Sequence, residues 1–190
     1  MIILCDTSSV LMLLRIAPEM FIDPQYKCLT LPEVKKEILQ TTKFKDKYSW
    51  RVQFKPKLKT IGMTEYNDQD FKLAKNTIKT LIDACTVNKS TGKIFDLSYE
   101  DIIVASYTVT KVYKITTEDK NLAQFLDQEF KVKNLSSLEV LNIWIKKKVL
   151  EVDANILNVL GDWKILEEPV QPSKAIKDFE KLTNHMYPGS

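Results

Sequence analysis

Two carboxylates come directly after short apolar segments that have the character of buried strands. Asp6 follows the apolar residues 2–5 and precedes three hydroxyl residues, and Asp119 follows a second such segment in the stretch KITTED. The carboxyl ends of parallel strands meet at one edge of a sheet, where α/β proteins bind their ligands. An acid at the end of a buried strand is costly unless a positive charge meets it. We therefore expect Asp6 and Asp119 to share a site that attracts cations.

Two further acids are predicted to reach the same edge from helices. Glu37 lies about one turn into a helix predicted over residues 32–40, and Asp101 lies in the first turn of a helix that begins at Ser98. A helix that follows a parallel strand starts at the edge where the strand ends. Four converging carboxylates would raise each other's pKa values, and a divalent cation relieves this repulsion. Carboxylates without histidine or thiolate ligands select Mg²⁺ or Mn²⁺ over zinc.

Each of these acids also has a purely structural interpretation. Asp119 is well placed to be the N-cap of the next helix, and Asp101 is three residues after Ser98, as in a capping box. Glu37 could be an ordinary solvated helix residue. Asp6 is the hardest to explain in this way, because of the cost of burying its charge.

Composition narrows the chemistry. The chain has 190 residues, of which 44% are hydrophobic and only four are glycine, which indicates one folded domain. The single histidine, His185, lies near the C-terminus, so an interior catalytic histidine or a two-histidine metal site is excluded. Three scattered cysteines favour neither a disulfide framework nor a zinc site and indicate a reducing cytoplasm. No apolar run is long enough to span a membrane, and no secretion signal is recognisable.

The elements that must position the acids alternate between short strands and helices. This order predicts an α/β/α sandwich with a central parallel sheet of about four to five short strands. We expect one domain over residues 1–150, with a basic insertion at about 41–96, and a helical C-terminal extension over 151–190. The predicted strands are residues 2–5, 27–30, 112–116 and 131–134. The predicted helices are residues 10–16, 32–40, 68–86, 98–110, 120–130, 136–149, 153–160 and 173–182.

Four segments, in this order, resemble the four sequence blocks of PIN-domain nucleases, a family that includes toxin-type and related endoribonucleases. They are IILCDTSSV, LPEVKKEIL, LSYEDIIVASYT and YKITTEDKNL. The resemblance covers about residues 1–150 and implies a PIN-like fold. The longer middle segment, residues 41–96, and the extension after residue 150 depart from the family pattern.

The resemblance implies a set of functional residues and a chemistry. Asp6, Glu37, Asp101 and Asp119 would be the acidic metal ligands, with Thr117 and either Thr7 or Ser8 as hydroxyls beside them. A Mg²⁺ or Mn²⁺ centre would activate water for in-line attack on a phosphodiester, which leaves 5′-phosphate and 3′-hydroxyl ends. RNA is the implied substrate, and an inhibitory protein or a larger ribonucleoprotein are possible partners. The extension could instead form a homodimer.

A basic and aromatic stretch, KFKDKYSWRVQFKPKLK over residues 43–59, is a candidate nucleic-acid contact. Basic groups meet phosphates, and flat rings stack on unpaired bases. The alternative is a twisted edge hairpin, in which Val52, Phe54 and Leu58 pack inward and lysines protect the edge. The residues predicted to contact nucleic acid are Lys43, Lys45, Trp50, Arg51, Lys55, Lys57 and Lys59.

Two other functions stay open at the level of sequence. The chain could be a PIN-fold RNA-binding or scaffold protein that has lost activity, although retention of four acids argues against this. It could also be a DNA-directed nuclease. Nucleotide-cradle enzymes are disfavoured, because neither of the usual glycine-rich phosphate-binding motifs occurs.

Overall fold

Four short parallel strands form the central sheet in the described part of the chain. The computed structural model describes residues 2–62, 68–111 and 113–189. The strands are β1 (Ile3–Cys5), β2 (Cys28–Leu29), β3 (Lys114–Thr116) and β4 (Asn134–Leu135). Their order across the sheet is β2-β1-β3-β4, and every neighbouring pair is parallel. The predicted α/β class with a parallel sheet is confirmed, whereas Val112, the predicted start of the third strand, lies outside the described residues.

Helices flank the sheet, and most begin at the side chains that the sequence offers as caps. Asp6 caps the helix Thr7–Leu13 and Asp119 caps the helix Lys120–Phe130, while Ser136 and Glu139 form a capping box at the helix Ser137–Lys146. Pro32 occupies the first turn of the helix Pro32–Gln40, where its missing N–H costs nothing. The helices are α1 (Thr7–Leu13), α2 (Pro32–Gln40), α3 (Gln69–Asp83), α4 (Tyr99–Lys111), α5 (Lys120–Phe130), α6 (Ser137–Lys146), α7 (Ala154–Ile165) and α8 (Ser173–Thr183).

The C-terminal extension is helical, as predicted, and it packs on the rest of the chain. Trp163 of α7 and Phe179 of α8 are buried in the same hydrophobic cluster as the central strands. Polar contacts join it to α6 as well: the Leu138 amide donates to Gln171 Oε1 at 3.0 Å, and Asn142 Nδ2 donates to the Ala175 carbonyl at 2.8 Å. No helix in residues 2–62, 68–111 or 113–189 is long and apolar enough to cross a membrane.

The hairpin alternative for the basic stretch is wrong. Residues Thr42–Phe44 and Ser49–Lys57 form 3₁₀ helical turns and no strand. The inward-facing pattern that a hairpin requires is also absent from this stretch, because Val52 is 54% exposed and Phe54 is only half-buried, although Leu58 is fully buried.

Arg51 explains why this stretch coils. Its side chain is buried, and the guanidinium donates hydrogen bonds to the backbone carbonyls of Ile38, Thr41, Phe44 and Tyr48. One cation thereby contacts the carbonyl of Ile38 in α2 and the carbonyls of Thr41, Phe44 and Tyr48 in the chain that leads from α2 to the second 3₁₀ turn. The prediction that Arg51 contacts nucleic acid is corrected accordingly, since its guanidinium is directed at the protein interior.

Glu168, in the segment that follows α7, also contacts the basic stretch. The Tyr48 hydroxyl donates to Glu168 Oε1 at 2.5 Å, and the same carboxylate oxygen lies 3.2 Å from Lys47 Nζ. Burial and the hydrogen bond to Glu168 raise the pKa of Tyr48, so this phenol stays a donor. The extension therefore contacts the basic stretch through Glu168.

We expect Arg51→Met to lower the free energy of unfolding by about 2–4 kcal/mol, because it removes the charged hydrogen bonds of a buried guanidinium, among them the one to the Ile38 carbonyl. Lys55→Met is the matched control, since it removes the same charge from an exposed position of the same 3₁₀ turn. The control should change stability by less than about 0.5 kcal/mol. Urea unfolding followed by circular dichroism measures both. Equal stability of the two variants would contradict the role of Arg51.

Candidate metal centre

The register between β1 and β3 sets the centre of the candidate site. Cys5 pairs with Thr116, so the next residues of the two strands, Asp6 and Thr117, stand side by side. The Asp6 amide donates to the Thr116 carbonyl at 3.2 Å, which extends the pairing past the last strand residue. The Thr117 hydroxyl then donates a short hydrogen bond to Asp6 Oδ2.

Other donors complete the surroundings of the Asp6 carboxylate. The Ser8 hydroxyl lies 2.9 Å from Oδ1 and 3.0 Å from Oδ2, and the Ser9 amide donates to Oδ1 at 2.9 Å. Asp6 is only 5% exposed. Burial raises its pKa to about 7, against the opposing effect of these hydrogen bonds. No ion pair reaches it from any described residue, so its charge is held by hydroxyl and amide dipoles alone.

A cavity of about 470 Å³ opens beside Asp6. All four predicted acids line it, although they come from four separate segments of the chain. The wall opposite the strands is formed in part by Phe44 and Tyr48 of the basic stretch. The polar and charged lining residues are Asp6, Thr7, Ser8, Glu37, Lys43, Tyr48, Asp96, Ser98, Glu100, Asp101 and Asp119.

Glu37 lines the cavity, and each of its two carboxylate oxygens has a partner. Its Oε2 accepts a hydrogen bond from the Thr7 hydroxyl at 2.5 Å, and its Oε1 lies 3.1 Å from Lys43 Nζ. Its side chain is 19% exposed, so it is not the freely solvated helix residue of the structural interpretation.

Asp101 and Asp119 combine capping with a place in the cavity. Asp101 Oδ2 accepts from the Ser98 hydroxyl at 2.7 Å and from the Ser98 amide at 3.0 Å, as a reciprocal cap requires. Asp119 Oδ1 accepts from the Asn121 and Leu122 amides at 2.7 and 3.1 Å. Burial raises the pKa of Asp101; its bonds to Ser98 oppose this, and the charges of Asp119 and Glu37 add to it. These three acids are therefore electrostatically close.

Thr117 links two of the acids directly. Its hydroxyl donates to Asp6 and accepts a hydrogen bond from the Asp119 amide at 2.9 Å. Its own amide and carbonyl bond to the Asn134 side chain at 2.9 and 2.7 Å, which fixes the loop after β3 to β4. The Thr117 side chain can therefore change Asp6 and Asp119 together.

Two acids in the lining, Asp96 and Glu100, were not among the predicted site residues. Asp96 lies in the loop before α4, where its carbonyl accepts from Asn121 Nδ2, and Glu100 lies in the first turn of α4. The sequence signal for both was their closeness to Asp101 in the stretch DLSYED. They bring the acids in the cavity lining to six, against one basic residue, Lys43, among the described residues of that lining.

This donor set fits a hard divalent cation by its chemistry. All six candidate ligands are carboxylates, which Mg²⁺ and Mn²⁺ prefer, and hydroxyls stand beside three of them. In the described part of the chain, however, no three acidic, thiol or imidazole groups stand in an arrangement ready to hold a metal ion. Their oxygens are directed instead at Ser8, Ser98, Thr7 and Thr117. The residues fit a metal ion in type and in number, and their side chains are arranged as a hydrogen-bonded network.

The predicted nucleic-acid contacts divide into three groups. Lys45, Lys55 and Lys59 are exposed, and they belong to the same stretch as Phe44 and Tyr48 of the cavity lining. Lys43 and Lys57 form ion pairs with Glu37 and Glu19. A third group, Arg51 and Trp50, is engaged inside the protein.

Trp50 is half-buried in a row of rings. It stands edge-to-face with Tyr48 and Phe54 at centroid distances of 6.0 and 5.5 Å, and the Arg15 guanidinium carbon lies 5.7 Å from its ring centroid. These neighbours occupy much of the ring surface on which a base would have to stack. Trp50 therefore serves the packing of the basic stretch in this structure.

Asp6→Asn should make the protein more stable at high pH. The native carboxyl has its pKa raised from about 3.9 to about 7, so the native state keeps a proton that the unfolded chain releases. Wild-type stability therefore falls as the pH rises from about 4 to about 7 and is lowest above that range. The asparagine variant escapes this loss. Its free energy of unfolding should exceed that of the wild type by up to ~4 kcal/mol at high pH and approach it near pH 4.

Urea unfolding at the two pH values, without divalent cations, measures this difference. Glu151→Gln, an exposed acid outside the cavity lining, is the control and should show no such pH-dependent gain. A stability difference between Asp6→Asn and wild type that is the same at both pH values would contradict the cost assigned to the buried charge.

No protein-family model, curated protein or solved structure matches the chain.

Proposed function

We propose that this protein is a metal-dependent nuclease of PIN type, and specifically an endoribonuclease that uses Mg²⁺ or Mn²⁺. The observation that carries the proposal is the convergence of Asp6, Glu37, Asp101 and Asp119 on one cavity. Capping accounts for Asp6, Asp101 and Asp119 one at a time, but it does not require that they meet Glu37 at one cavity, where their charges repel one another. A bound divalent cation would neutralise the repulsion between these carboxylates.

The protein's own residues position the reacting groups. A bound divalent cation would lower the pKa of an attacking water and neutralise charge on the phosphate. Asp6 is fixed by Thr117, Ser8 and the Ser9 amide, and Asp119 by the N-terminus of α5. The carboxylates are thus held before substrate arrives, which reduces the reorganisation that catalysis requires.

The hydroxyls beside the acids have a positioning role in this proposal. Thr7 donates to Glu37, while Ser8 donates to Asp6 and accepts from the Glu118 amide at 2.9 Å. A hydroxyl that acts as a nucleophile needs a general base, and the chain has no interior histidine to supply one. Attack by water on the phosphodiester is therefore the mechanism we favour, and it leaves 5′-phosphate and 3′-hydroxyl ends.

RNA rather than DNA as the substrate rests on the resemblance to PIN-domain nucleases, while the exposed lysines of the basic stretch support a nucleic-acid substrate of either kind. Lys45, Lys55 and Lys59 would contact the phosphates on either side of the cleaved bond. We propose a cytoplasmic location because Cys5 and Cys28 are buried free thiols, as is usual in reducing compartments. An inhibitory protein, a ribonucleoprotein and a second copy of the chain remain predicted partners.

The first test is cleavage of labelled single-stranded RNA and DNA in Mn²⁺. We expect cleavage of RNA, its abolition by EDTA, and a loss of more than about a hundredfold in Asp6→Asn and in Asp101→Asn, because each removes a charged ligand. Glu151→Gln is the matched control and should cleave like the wild type. Full activity of Asp6→Asn would refute the site, and a 2′,3′-cyclic phosphate product would refute attack by water.

The second test concerns the basic surface. We expect Lys45, Lys55 and Lys59, changed together to glutamine, to weaken RNA binding and to lower the slope of log affinity against log salt by about two, since each lost phosphate contact contributes about 0.7 for a single strand. The control changes Lys146, Lys147 and Lys148, three exposed lysines at the end of α6, and should leave the slope unchanged. Equal slopes for both triple variants would remove these lysines from the interface.

A non-catalytic RNA-binding or scaffold protein is the second candidate. It is favoured by one observation: the cavity acids are held in hydrogen bonds to hydroxyls, without a ready metal-ligating group among the described residues. RNA binding that shows the lysine dependence above, without cleavage in Mg²⁺ or Mn²⁺, would favour this candidate. Cleavage of DNA in preference to RNA would instead identify a DNA-directed nuclease.

A further inference from the structure

Lys43 is the one basic residue among the described residues that line the acidic cavity. Its Nζ lies 3.1 Å from Glu37 Oε1, while the other oxygen of Glu37 accepts from the Thr7 hydroxyl. Lys43 therefore occupies the carboxylate oxygen of Glu37 that a divalent cation would need as a ligand.

The ion pair between Lys43 and Glu37 can dissociate at little cost. The Lys43 side chain is 63% exposed, whereas Glu37 is 19% exposed, so the lysine can leave without uncovering the core. Exposed ion pairs of this kind contribute little to stability. A second contact is already available, because Lys43 Nζ lies 4.8 Å from the ring centroid of Phe44, which also lines the cavity.

Electrostatic repulsion disfavours the binding of the Lys43 ammonium and a divalent cation to Glu37 at the same time. A divalent ion held by Glu37 would stand within a few ångströms of the ammonium, at a separation where like charges repel strongly even near a protein surface. Glu37 Oε1 can then neutralise either the ammonium or the divalent cation. Lys43 is the one that can move, because its side chain is flexible.

We propose that Lys43 is a resident counter-ion of the acidic cavity that leaves Glu37 when a divalent cation binds and then contacts a phosphate of the RNA. This inference rests on the proposed nuclease function and adds a route by which the metal prepares the protein for its substrate. The displaced ammonium stays at the cavity rim, on the short 3₁₀ turn Thr42–Phe44. Since coupling between two ligands is reciprocal, RNA should also favour metal binding through Lys43.

The first measurement is Mn²⁺ binding by isothermal titration calorimetry, without RNA. We expect Lys43→Gln to bind Mn²⁺ roughly two- to tenfold more tightly than the wild type, because the metal no longer has to displace a cation. Lys45→Gln is the matched control, since Lys45 is exposed and forms no ion pair with any residue of the described ranges. Its effect on Mn²⁺ affinity should be clearly smaller.

The second measurement is the anisotropy of a short fluorescein-labelled single-stranded RNA with phosphorothioate linkages, which keep the backbone charge and resist hydrolysis, and the probe is checked for integrity on a gel. In EDTA, Lys43 is paired with Glu37, so Lys43→Gln should bind RNA almost as well as the wild type. In Mn²⁺ the variant should bind roughly two- to fivefold more weakly than the wild type, the effect of one exposed ionic contact. Lys45→Gln should weaken RNA binding by the same factor in both conditions, because its charge is available in both.

The outcomes separate this inference from the proposed function. If wild-type protein binds no Mn²⁺, or if Asp6→Asn binds it as well as wild type does, both are overturned. If wild type binds Mn²⁺ through Asp6 but Lys43→Gln leaves Mn²⁺ affinity unchanged and lowers RNA affinity equally with Mn²⁺ and EDTA, only the role of Lys43 fails. Tighter Mn²⁺ binding together with a Mn²⁺-dependent loss of RNA affinity supports the inference.

Discussion

The parallel pairing of β1 with β3 is the interaction on which the rest of the site depends. Its register places Cys5 opposite Thr116, and this brings the following residues, Asp6 and Thr117, into contact. The Thr117 hydroxyl then joins Asp6 to the Asp119 amide. A slip of one residue would turn alternate side chains to the other face of the sheet and would separate these groups. Three strand residues therefore fix the geometry of two acids that are more than a hundred positions apart in the chain.

Capping and function are not competing explanations for these acids. Asp6 caps α1, Asp119 caps α5 and Asp101 pairs with Ser98 at the start of α4, yet all three line the same cavity. The N-terminal turns of helices that follow parallel strands open at the edge of the sheet, and their free amides hold carboxylates in place. A capping bond fixes one oxygen of a carboxylate and limits how it can rotate. The same bonds that stabilise the helices thus orient the acids toward the cavity.

Much of this arrangement was predictable from the sequence because topology follows simple rules. The alternation of strands and helices gave the parallel sheet, and the switch from apolar strand to acid located Asp6 and Asp119 at its edge. The coiling of the basic stretch was not predictable, because it depends on the buried Arg51 side chain, which contacts carbonyls of α2 and of the first 3₁₀ turn. An arginine among lysines has no local sign that it is buried. Asp96 and Glu100 were missed for a related reason: the path of a loop decides which of several neighbouring acids reach a cavity.

The segment between α2 and α3 and the C-terminal extension contact each other and form one structural feature. The segment between α2 and α3 supplies the 3₁₀ turns that carry Phe44 and Tyr48 into the cavity wall. Short 3₁₀ turns stabilise themselves poorly, so they need partners elsewhere. One set of partners is contacted by Arg51, whose buried side chain donates to carbonyls such as that of Ile38. The other partner is Glu168, after the end of α7, which accepts a hydrogen bond from Tyr48. The Glu168 side chain is only 6% exposed, so its bond to Tyr48 and its ion pair with Lys47 are shielded from water. The C-terminal extension thus helps to hold Tyr48, a residue of the acidic cavity lining, in place.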